Sequence, residues 1–233
     1  MMNKPKPVYL LAGRGSRRAP DPLIQAVFKE SRIDAPRIAY VGTANGDNED
    51  FFQRIVGLFR EAGAGSVVHV LISPEGADLK RAKEILSLAD IVFVSGGDVE
   101  RGMQILEEKN MVGFLRGLYE NGKPFFGLSA GSIMLARKWV RWRDPEDDST
   151  AELFPCLGFA PMICDTHDEV DGWRELQVAL RLGEAEERGY GIVSGTAIKV
   201  YPGGEVEAVG GAVHQFMRRG NRVVRVSDIL PLG

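Results

Sequence analysis

The stretch Lys123-Pro124-Phe125-Phe126-Gly127-Leu128-Ser129-Ala130-Gly131 determines how the rest of the chain is interpreted. Its apolar part, Phe125 to Leu128, predicts a buried strand, and a helix is predicted to follow from Gly131 to Lys138. The pattern Gly-x-Ser-x-Gly between a strand and a helix is typical of a nucleophilic serine held on a sharp turn. The alternative is that Ser129 only caps the helix, by accepting a hydrogen bond from one of its first N–H groups.

Strands and helices alternate on both sides of this stretch. The predicted upstream strands are Val8 to Ala12, Arg37 to Val41, Ser66 to Ile72 and Ile91 to Val94. The predicted upstream helices are Pro22 to Arg32, Asp50 to Ala62, Gly76 to Leu88 and Glu100 to Glu120, the last with a break near Asn110. Downstream, residues 139–159 are irregular and acidic, a helix is predicted from about Gly172 to Glu187, and short β-rich runs follow Gly189.

This alternation is typical of a parallel sheet covered by helices. The sequence therefore predicts an α/β three-layer sandwich with a mostly parallel central sheet, helices on both faces, and antiparallel strands added near the C-terminus. A length of 233 residues is usual for one such domain, so residues 1–233 are predicted to form a single domain.

Composition excludes several classes of function. The net charge is −3, from 29 basic and 32 acidic residues, which indicates no nucleic-acid partner. Two cysteines, Cys156 and Cys164, are too few for a disulfide framework, and neither a metal nor an organic cofactor is expected. No apolar run approaches the ~20 residues of a membrane span, and the N-terminus lacks a secretion signal. A cytoplasmic protein without a membrane partner is expected, and a homodimer remains an open alternative to a monomer.

A nucleophilic serine needs a base, normally a histidine, and the base needs an acid that orients it. His69 lies inside an apolar strand and His214 lies near the C-terminus. His167 lies in a polar turn crowded by carboxylates, which favour the imidazolium formed during catalysis, so His167 is the preferred base. The residues alone do not separate the candidate acids, which are Asp144, Glu146, Asp147, Asp148, Asp165, Asp168 and Glu169.

Two basic clusters have two interpretations each. One cluster comprises Arg14, Arg17 and Arg18, and the other comprises Arg137, Lys138, Arg141 and Arg143. Each is predicted to be a solvated face, and the alternative is a site for an anionic group. A dinucleotide site at Gly13-Arg14-Gly15-Ser16 is disfavoured, because Arg18 stands where the third glycine is required.

Three segments, taken in order, resemble the dipeptidase E and cyanophycinase family of serine peptidases, which shares its fold with class I glutamine amidotransferases. They are the strand Ile91 to Val94 with Ser95-Gly96-Gly97-Asp98, the segment Gly122 to Ser132 around Ser129, and the stretch Gly189 to Ile198. The resemblance implies hydrolysis of a peptide or isopeptide bond in aspartyl peptides, including the arginine-decorated polymer cyanophycin.

The resemblance also implies roles for individual residues. It places the base at His167 and the acid at Asp144, and it adds the N–H of Gly97 to that of Ala130 as donors to the oxyanion. Arg141, Arg143 and Asp98 are the candidates for binding a small peptide substrate. One position departs from the family, because Ser194 stands where many members carry glutamate before Gly-Thr-Ala.

The sequence alone is compatible with two other functions. An α/β-hydrolase esterase also uses the pattern Gly-x-Ser-x-Gly, and its histidine is usually close to the C-terminus, which would favour His214. A ligand-binding protein without turnover would retain the fold and lose the reaction, and the change at Ser194 is compatible with it.

Overall fold

The computed structural model describes residues 4–13 and 21–231, so the cluster at Arg14, Arg17 and Arg18 lies outside the described residues. The helices are α1 (Pro22–Ser31), α2 (Glu49–Glu61), α3 (Leu79–Leu88), α4 (Val99–Glu108), α5 (Val112–Glu120), α6 (Ala130–Leu135) and α7 (Arg174–Leu182). The strands are β1 (Val8–Leu11), β2 (Arg37–Val41), β3 (Ser66–Val70), β4 (Ile91–Val94), β5 (Phe125–Leu128), β6 (Lys138–Trp142), β7 (Ala151–Pro155), β8 (Ile163–Thr166), β9 (Arg188–Ile192), β10 (Ala197–Val200), β11 (Val206–Val209), β12 (His214–Arg219) and β13 (Arg222–Arg225).

The central sheet has seven strands in the order β11-β10-β1-β5-β4-β2-β3. The five strands from β1 to β3 in this order run parallel, and β10 and β11 are added antiparallel at one edge. Strand β5 lies in the middle, where Phe126 pairs with Tyr9 on one side and Phe93 on the other. The strand that leads to Ser129 is therefore held from both sides.

Side chains alternate between the two faces of this sheet, and each face has its own core. Val8 and Leu10 of β1 pack into a core that includes residues of α3 to α6, whereas Tyr9 and Leu11 pack into a second core with α1 and α2. The sheet is thus covered by helices on both faces, and the predicted three-layer α/β architecture is confirmed.

A second sheet and a hairpin complete the fold, and they differ from the sequence prediction. The second sheet has the order β13-β12-β9-β8, and β6 pairs with β7, so that Trp139 lies opposite Phe154. The prediction that residues 139–159 are irregular was therefore wrong, because their side chains pack against α7 and the core instead of alternating visibly in sequence. Helix α6 ends at Leu135, three residues before the predicted end, as the chain turns into β6.

The predicted break near Asn110 is present, since Asn110 has a φ of 53° and separates α4 from α5. The helix predicted to reach Glu187 ends at Leu182, because the chain must turn to enter β9. None of the helices in residues 4–13 and 21–231 has the length and apolar character needed to cross a membrane.

Candidate active site

Ser129 lies on the turn between β5 and α6 with φ 54° and ψ −123°, a backbone conformation that non-glycine residues rarely adopt. Glycines on both sides make the turn possible. A Cβ on Gly131 would lie 2.0 Å from the carbonyl oxygen of Val94, and a Cβ on Gly127 would lie 2.5 Å from the carbonyl carbon of Gly131. The side chain of Ser129 accepts no capping hydrogen bond from the first N–H groups of α6, so the structure places it as a half-buried hydroxyl on the turn rather than as a cap.

The structure brings Ser129 and His167 together. His167 follows β8 of the second sheet, and its Nε2 lies 2.7 Å from the Oγ of Ser129, which is hydrogen-bond distance. The backbone N–H of His167 donates to the carbonyl of Ile192 at 3.0 Å, which ties the histidine loop to β9. A hydroxyl and an imidazole nitrogen are thus held from two different sheets at a distance that permits proton transfer.

The other two histidines lie elsewhere. The ring of His69 stacks on Phe52, and its Nδ1 is 3.2 Å from Glu49. His214 is on β12, where its Nδ1 is 3.2 Å from Asp228. Neither histidine contacts Ser129 in the described residues, so the geometry favours His167 over His214 as the base.

The structure does not bring Asp144 to His167, and this corrects the expected position of the acid. The Oδ1 of Asp144 accepts a hydrogen bond from the backbone N–H of Glu146, and Thr150 Oγ1 bonds the Asp144 backbone N–H and carbonyl. These bonds close residues 144–150 into an exposed turn on the hairpin. Within the described chain, no hydrogen bond or ion pair joins Asp144 to the imidazole.

The carboxylates whose charges act on His167 are its two neighbours, Asp168 and Glu169. Burial raises the pKa of Asp168, and repulsion by Asp171 adds to this. Burial also acts to raise the pKa of Glu169, but hydrogen bonds from the backbone N–H and hydroxyl of Ser194 outweigh it, so this pKa is lowered. Glu169 is therefore the carboxylate of the histidine loop that is more firmly held as an anion, although in the described chain it makes no hydrogen bond or ion pair with the imidazole.

Ser194 itself explains why Glu169 is held there. Its backbone N–H and hydroxyl both donate to the Glu169 carboxylate. Glu169 is one of the seven candidate acids in the sequence, but its contact with Ser194 cannot be predicted from the sequence because 25 residues separate the two.

Two backbone N–H groups flank the hydroxyl of Ser129. Ala130 is the first residue of α6, so its N–H has no acceptor within the helix. Gly97 lies on the turn after β4, and in the described chain its N–H donates to no backbone acceptor. The turn abuts the nucleophile, since a Cβ on Gly96 would lie 3.3 Å from the Cβ of Ser129. Both expected oxyanion donors therefore line the same cavity as Ser129.

This cavity has a volume of about 470 Å³, within the range of about 300–1,000 Å³ that is common for small-molecule sites. Its apolar wall comes from the β6–β7 hairpin and α6, with Trp139, Val140, Trp142 and Ile133. Sequence reasoning missed the hairpin wall, because residues 139–159 carry no clear strand pattern. No group of three or more His, Cys, Asp or Glu in the described ranges has the arrangement of a metal site.

Most of the ionisable side chains that line the cavity are acidic. Among the described residues, Asp98, Glu100, Asp165, Asp168 and Glu175 contribute to its lining, against one arginine, Arg141. Asp98 accepts a hydrogen bond from Arg101 N and so caps α4. Burial raises the pKa of Asp165 well above its usual range, and burial and repulsion by Asp168 raise the pKa of Glu175.

The arginines expected to bind a substrate carboxylate are placed differently. Arg141 lines the cavity, but its Nη1 is 3.0 Å from Glu100 and its Nε is 2.7 Å from Glu152, so two acids neutralise it. The side chain of Arg143 is 83% exposed and lies 4.0 Å from Glu152. Local acids therefore pair with the guanidinium group of Arg141, whereas that of Arg143 is exposed to solvent.

Several known proteins that are similar to this chain are named as peptidases. The chain is 28% identical over 130 residues to "Uncharacterized peptidase YgaJ" of Bacillus subtilis (strain 168), covering 55% of each chain. It is 28% identical over 81 residues to "Peptidase E" of Haemophilus influenzae, covering 33% of this chain and 37% of that protein. The matches thus span about half or less of these relatives.

Solved structures share the fold over nearly the whole chain. A peptidase from an acI-B1 Actinobacterium superposes with a TM-score of 0.73 at 17% identity, covering 99% of this chain and 98% of the other. A putative peptidase E of Listeria monocytogenes EGD-e superposes with a TM-score of 0.60 at 17% identity, covering 88% and 98%. The model of "Peptidase family S51" matches residues 10–208, which confirms the resemblance drawn from the sequence, and the chain belongs to peptidase family S51.

Proposed function

We propose that the protein is a serine peptidase that hydrolyses a peptide or isopeptide bond in a small peptide, with Ser129 as nucleophile and His167 as general base. The single observation that carries this is the 2.7 Å contact between Ser129 Oγ and His167 Nε2 on a strained turn flanked by two free N–H groups. Family membership supports the same reaction class.

The reaction runs in two balanced steps. Ser129 Oγ attacks the carbonyl carbon while His167 Nε2 takes the hydroxyl proton, and the oxyanion accepts hydrogen bonds from Gly97 and Ala130 N–H. His167 then gives that proton to the leaving amine as the C–N bond breaks, which leaves an acyl ester on Ser129. A water molecule attacks the ester, His167 takes one water proton and returns it to Ser129 Oγ, and the acid is released.

Glu169 is proposed to supply the negative charge that stabilises the imidazolium during these steps. The lowered pKa of Glu169 keeps it ionised where His167 becomes protonated. The carboxylate of Asp144, the acid implied by the resemblance, instead accepts a hydrogen bond within its own turn, from the N–H of Glu146. Replacing each carboxylate by its amide separates the two assignments.

The charge of the cavity favours a substrate that carries a positive group, such as a free N-terminal ammonium or a basic side chain. Burial raises the pKa of Asp165, and its Oδ2 has no hydrogen-bond partner in the described chain, so an ammonium or guanidinium group of the substrate that paired with it would favour its ionised form. A carboxylate-only aspartyl substrate would face a lining in which, among the described residues, Arg141 is already paired with Glu100 and Glu152. The implied preference for aspartyl peptides is therefore proposed to depend on a cationic group in the same peptide.

The test begins with labelling by a fluorophosphonate probe. Wild type and His214→Ala are expected to react, and Ser129→Ala and His167→Ala are expected not to react. Loss of labelling in His214→Ala with retention in His167→Ala would instead support the esterase alternative.

A dipeptide panel then defines turnover. It contains Asp-Arg, Asp-citrulline, Asp-Leu and N-acetylated forms of each, with Ser129→Ala as the blank. Hydrolysis of any member supports the peptidase, and a preference for arginine over citrulline supports the cationic group on the side chain. Labelling without hydrolysis of any member would contradict turnover and support a binding protein.

A further inference from the structure

Asn45 holds the turn that carries the proposed oxyanion donor Gly97. Three oxygen atoms lie 3.0 Å from its Nδ2, those of Tyr40 Oη, Ser95 Oγ and the Gly96 carbonyl. The last of these contacts is the important one, because the Gly96 carbonyl and the Gly97 N–H belong to the same peptide group.

A trans peptide group is planar, and its C=O and N–H point in opposite directions. A donor that holds the Gly96 carbonyl on one side therefore directs the Gly97 N–H to the other side. Gly97 lines the cavity that contains Ser129, and its N–H donates to no backbone acceptor in the described chain. The Asn45 amide thus sets the direction in which this donor points.

The peptide group needs such a support because it lies between two glycines. Gly97 has a φ of 145°, and glycine has no Cβ to restrict rotation about the neighbouring bonds. A free Gly-Gly turn would sample orientations in which the N–H points away from the oxyanion. Preorganised donors stabilise a transition state because they need no rearrangement during the reaction.

The loop that carries Asn45 is clamped against the same turn at a second point. Asp98 N donates to the carbonyl of Ala44 at 2.8 Å, and a Cβ on Gly97 would lie 2.2 Å from that carbonyl oxygen. Asn45 is itself oriented, since its Oδ1 accepts a hydrogen bond from Asn48 N at 3.0 Å. Its amide is therefore fixed with the Nδ2 toward the Gly-Gly turn.

We infer that Asn45 is a positioning residue for the peptidase reaction: it holds the Gly96–Gly97 peptide group so that the Gly97 N–H is directed at the oxyanion formed on attack by Ser129. This inference rests on the proposed function. Asn45 does not touch the reacting atoms, so its loss is expected to lower the rate of the chemical step and leave substrate binding unchanged.

The informative variant is Asn45→Asp. Aspartate has the same shape and keeps an acceptor for Asn48 N, but it removes the donor to the Gly96 carbonyl. Asn48→Asp is the matched control, because it adds the same charge three residues away and an aspartate caps α2 as well as asparagine does. Asn45→Ala serves as a second variant that removes the donor without adding charge.

The primary measurement is the second-order rate of labelling of Ser129 by the fluorophosphonate probe, which needs no knowledge of the substrate. Loss of one complete oxyanion donor costs about 100- to 1,000-fold, so a misdirected donor is expected to cost about 10- to 100-fold in both Asn45 variants. Asn48→Asp is expected to stay within about twofold of wild type, as surface changes usually do.

A second measurement distinguishes a positioning role of Asn45 from a general disturbance of the active-site structure. On the best dipeptide of the panel, kcat is expected to fall in Asn45→Asp while KM remains that of wild type, as for an interaction made only in the transition state. A peptide aldehyde forms an adduct that carries the oxyanion, so its affinity is expected to fall by the same factor as kcat. The affinity of the product peptide is expected to stay unchanged.

The outcomes distinguish this inference from the proposed function. If the fluorophosphonate probe fails to label the wild-type protein, the proposed function is contradicted. Labelled wild type together with folded Asn45 variants that react at the wild-type rate would overturn only the role of Asn45, and so would a rise in KM at constant kcat.

Discussion

Gly131→Ala is expected to destabilise the protein strongly, because the elbow around Ser129 has no room for one more carbon. An added Cβ would lie 2.0 Å from the carbonyl oxygen of Val94, 2.6 Å from its carbonyl carbon and 2.8 Å from the carbonyl oxygen of Ser95. All three atoms are backbone at the end of β4, a strand buried in the central sheet, so no side chain can rotate away.

The magnitude follows from how far α6 must move. Van der Waals contacts between carbon atoms lie at about 3.5–4.0 Å, so the helix must shift by more than about 1 Å away from β4. Overpacking in a core typically costs about 1–3 kcal/mol and occasionally more, and a clash with fixed backbone lies at the upper end, near 3 kcal/mol. For a chain of this size about 2–4 °C is lost per kcal/mol, so the melting temperature should fall by about 6–12 °C.

The assay is thermal and urea denaturation followed by circular dichroism, with Gly113→Ala as the matched control. Gly113 lies inside α5, and nothing is within 4 Å of its added Cβ. Alanine there is expected to stabilise the helix by about 0.5–1 kcal/mol. Equal stability of Gly131→Ala and wild type would refute the packing argument. Folded Gly131→Ala that labels at the wild-type rate would show that the spacing between Ser129 and the Gly97 turn tolerates the shift.

Three further outcomes are expected. Glu169→Gln should lower kcat by about tenfold or more through loss of charge beside His167, whereas Asp144→Asn should stay near wild type in the same dipeptide assay. Burial, with repulsion by Asp168, raises the pKa of Asp165 in the folded protein. The contribution of its protonated carboxyl to the free energy of unfolding is therefore full below the unfolded pKa, and it is lost as the pH rises through the folded pKa. The gain in melting temperature of Asp165→Asn over wild type should therefore grow as the pH rises above about 4, the unfolded pKa of an aspartate, and a difference that does not grow above this pH would contradict it. Cys156 and Cys164 are buried and free, and burial raises the pKa of both thiols, so neither should react with a thiol reagent until the chain unfolds.

Local patterns in the sequence were sufficient to propose Ser129 as the nucleophile and to predict most of the central sheet. A run of four apolar residues before Ser129, with small residues around it, is a short-range feature, and the strand, the strained turn and the helix that it predicts are all present. The same holds for β1, β2 and β4, whose apolar runs are buried on both faces and can be recognised without their partners.

Elements whose side chains pack against distant parts of the chain could not be recognised in this way. The hairpin of β6 and β7 carries no regular alternation, because one of its faces meets α7 and the cavity rather than solvent. Helix α6 was predicted too long for a similar reason, since its residues are helix-compatible up to Lys138 and only the return into β6 ends it at Leu135.

The sequence by itself determined which residue is proposed as the nucleophile, because the turn around Ser129 is built from its neighbours in the chain. Only the tertiary structure decided which residues surround Ser129. The proposed base, His167, lies 38 residues downstream after a strand of the second sheet, Glu169 is held by Ser194, and Asn45 contacts the Gly96 carbonyl from 51 residues upstream. Contacts over such separations depend on how strands are ordered and how helices pack, and no spacing of residue types along the chain encodes them locally.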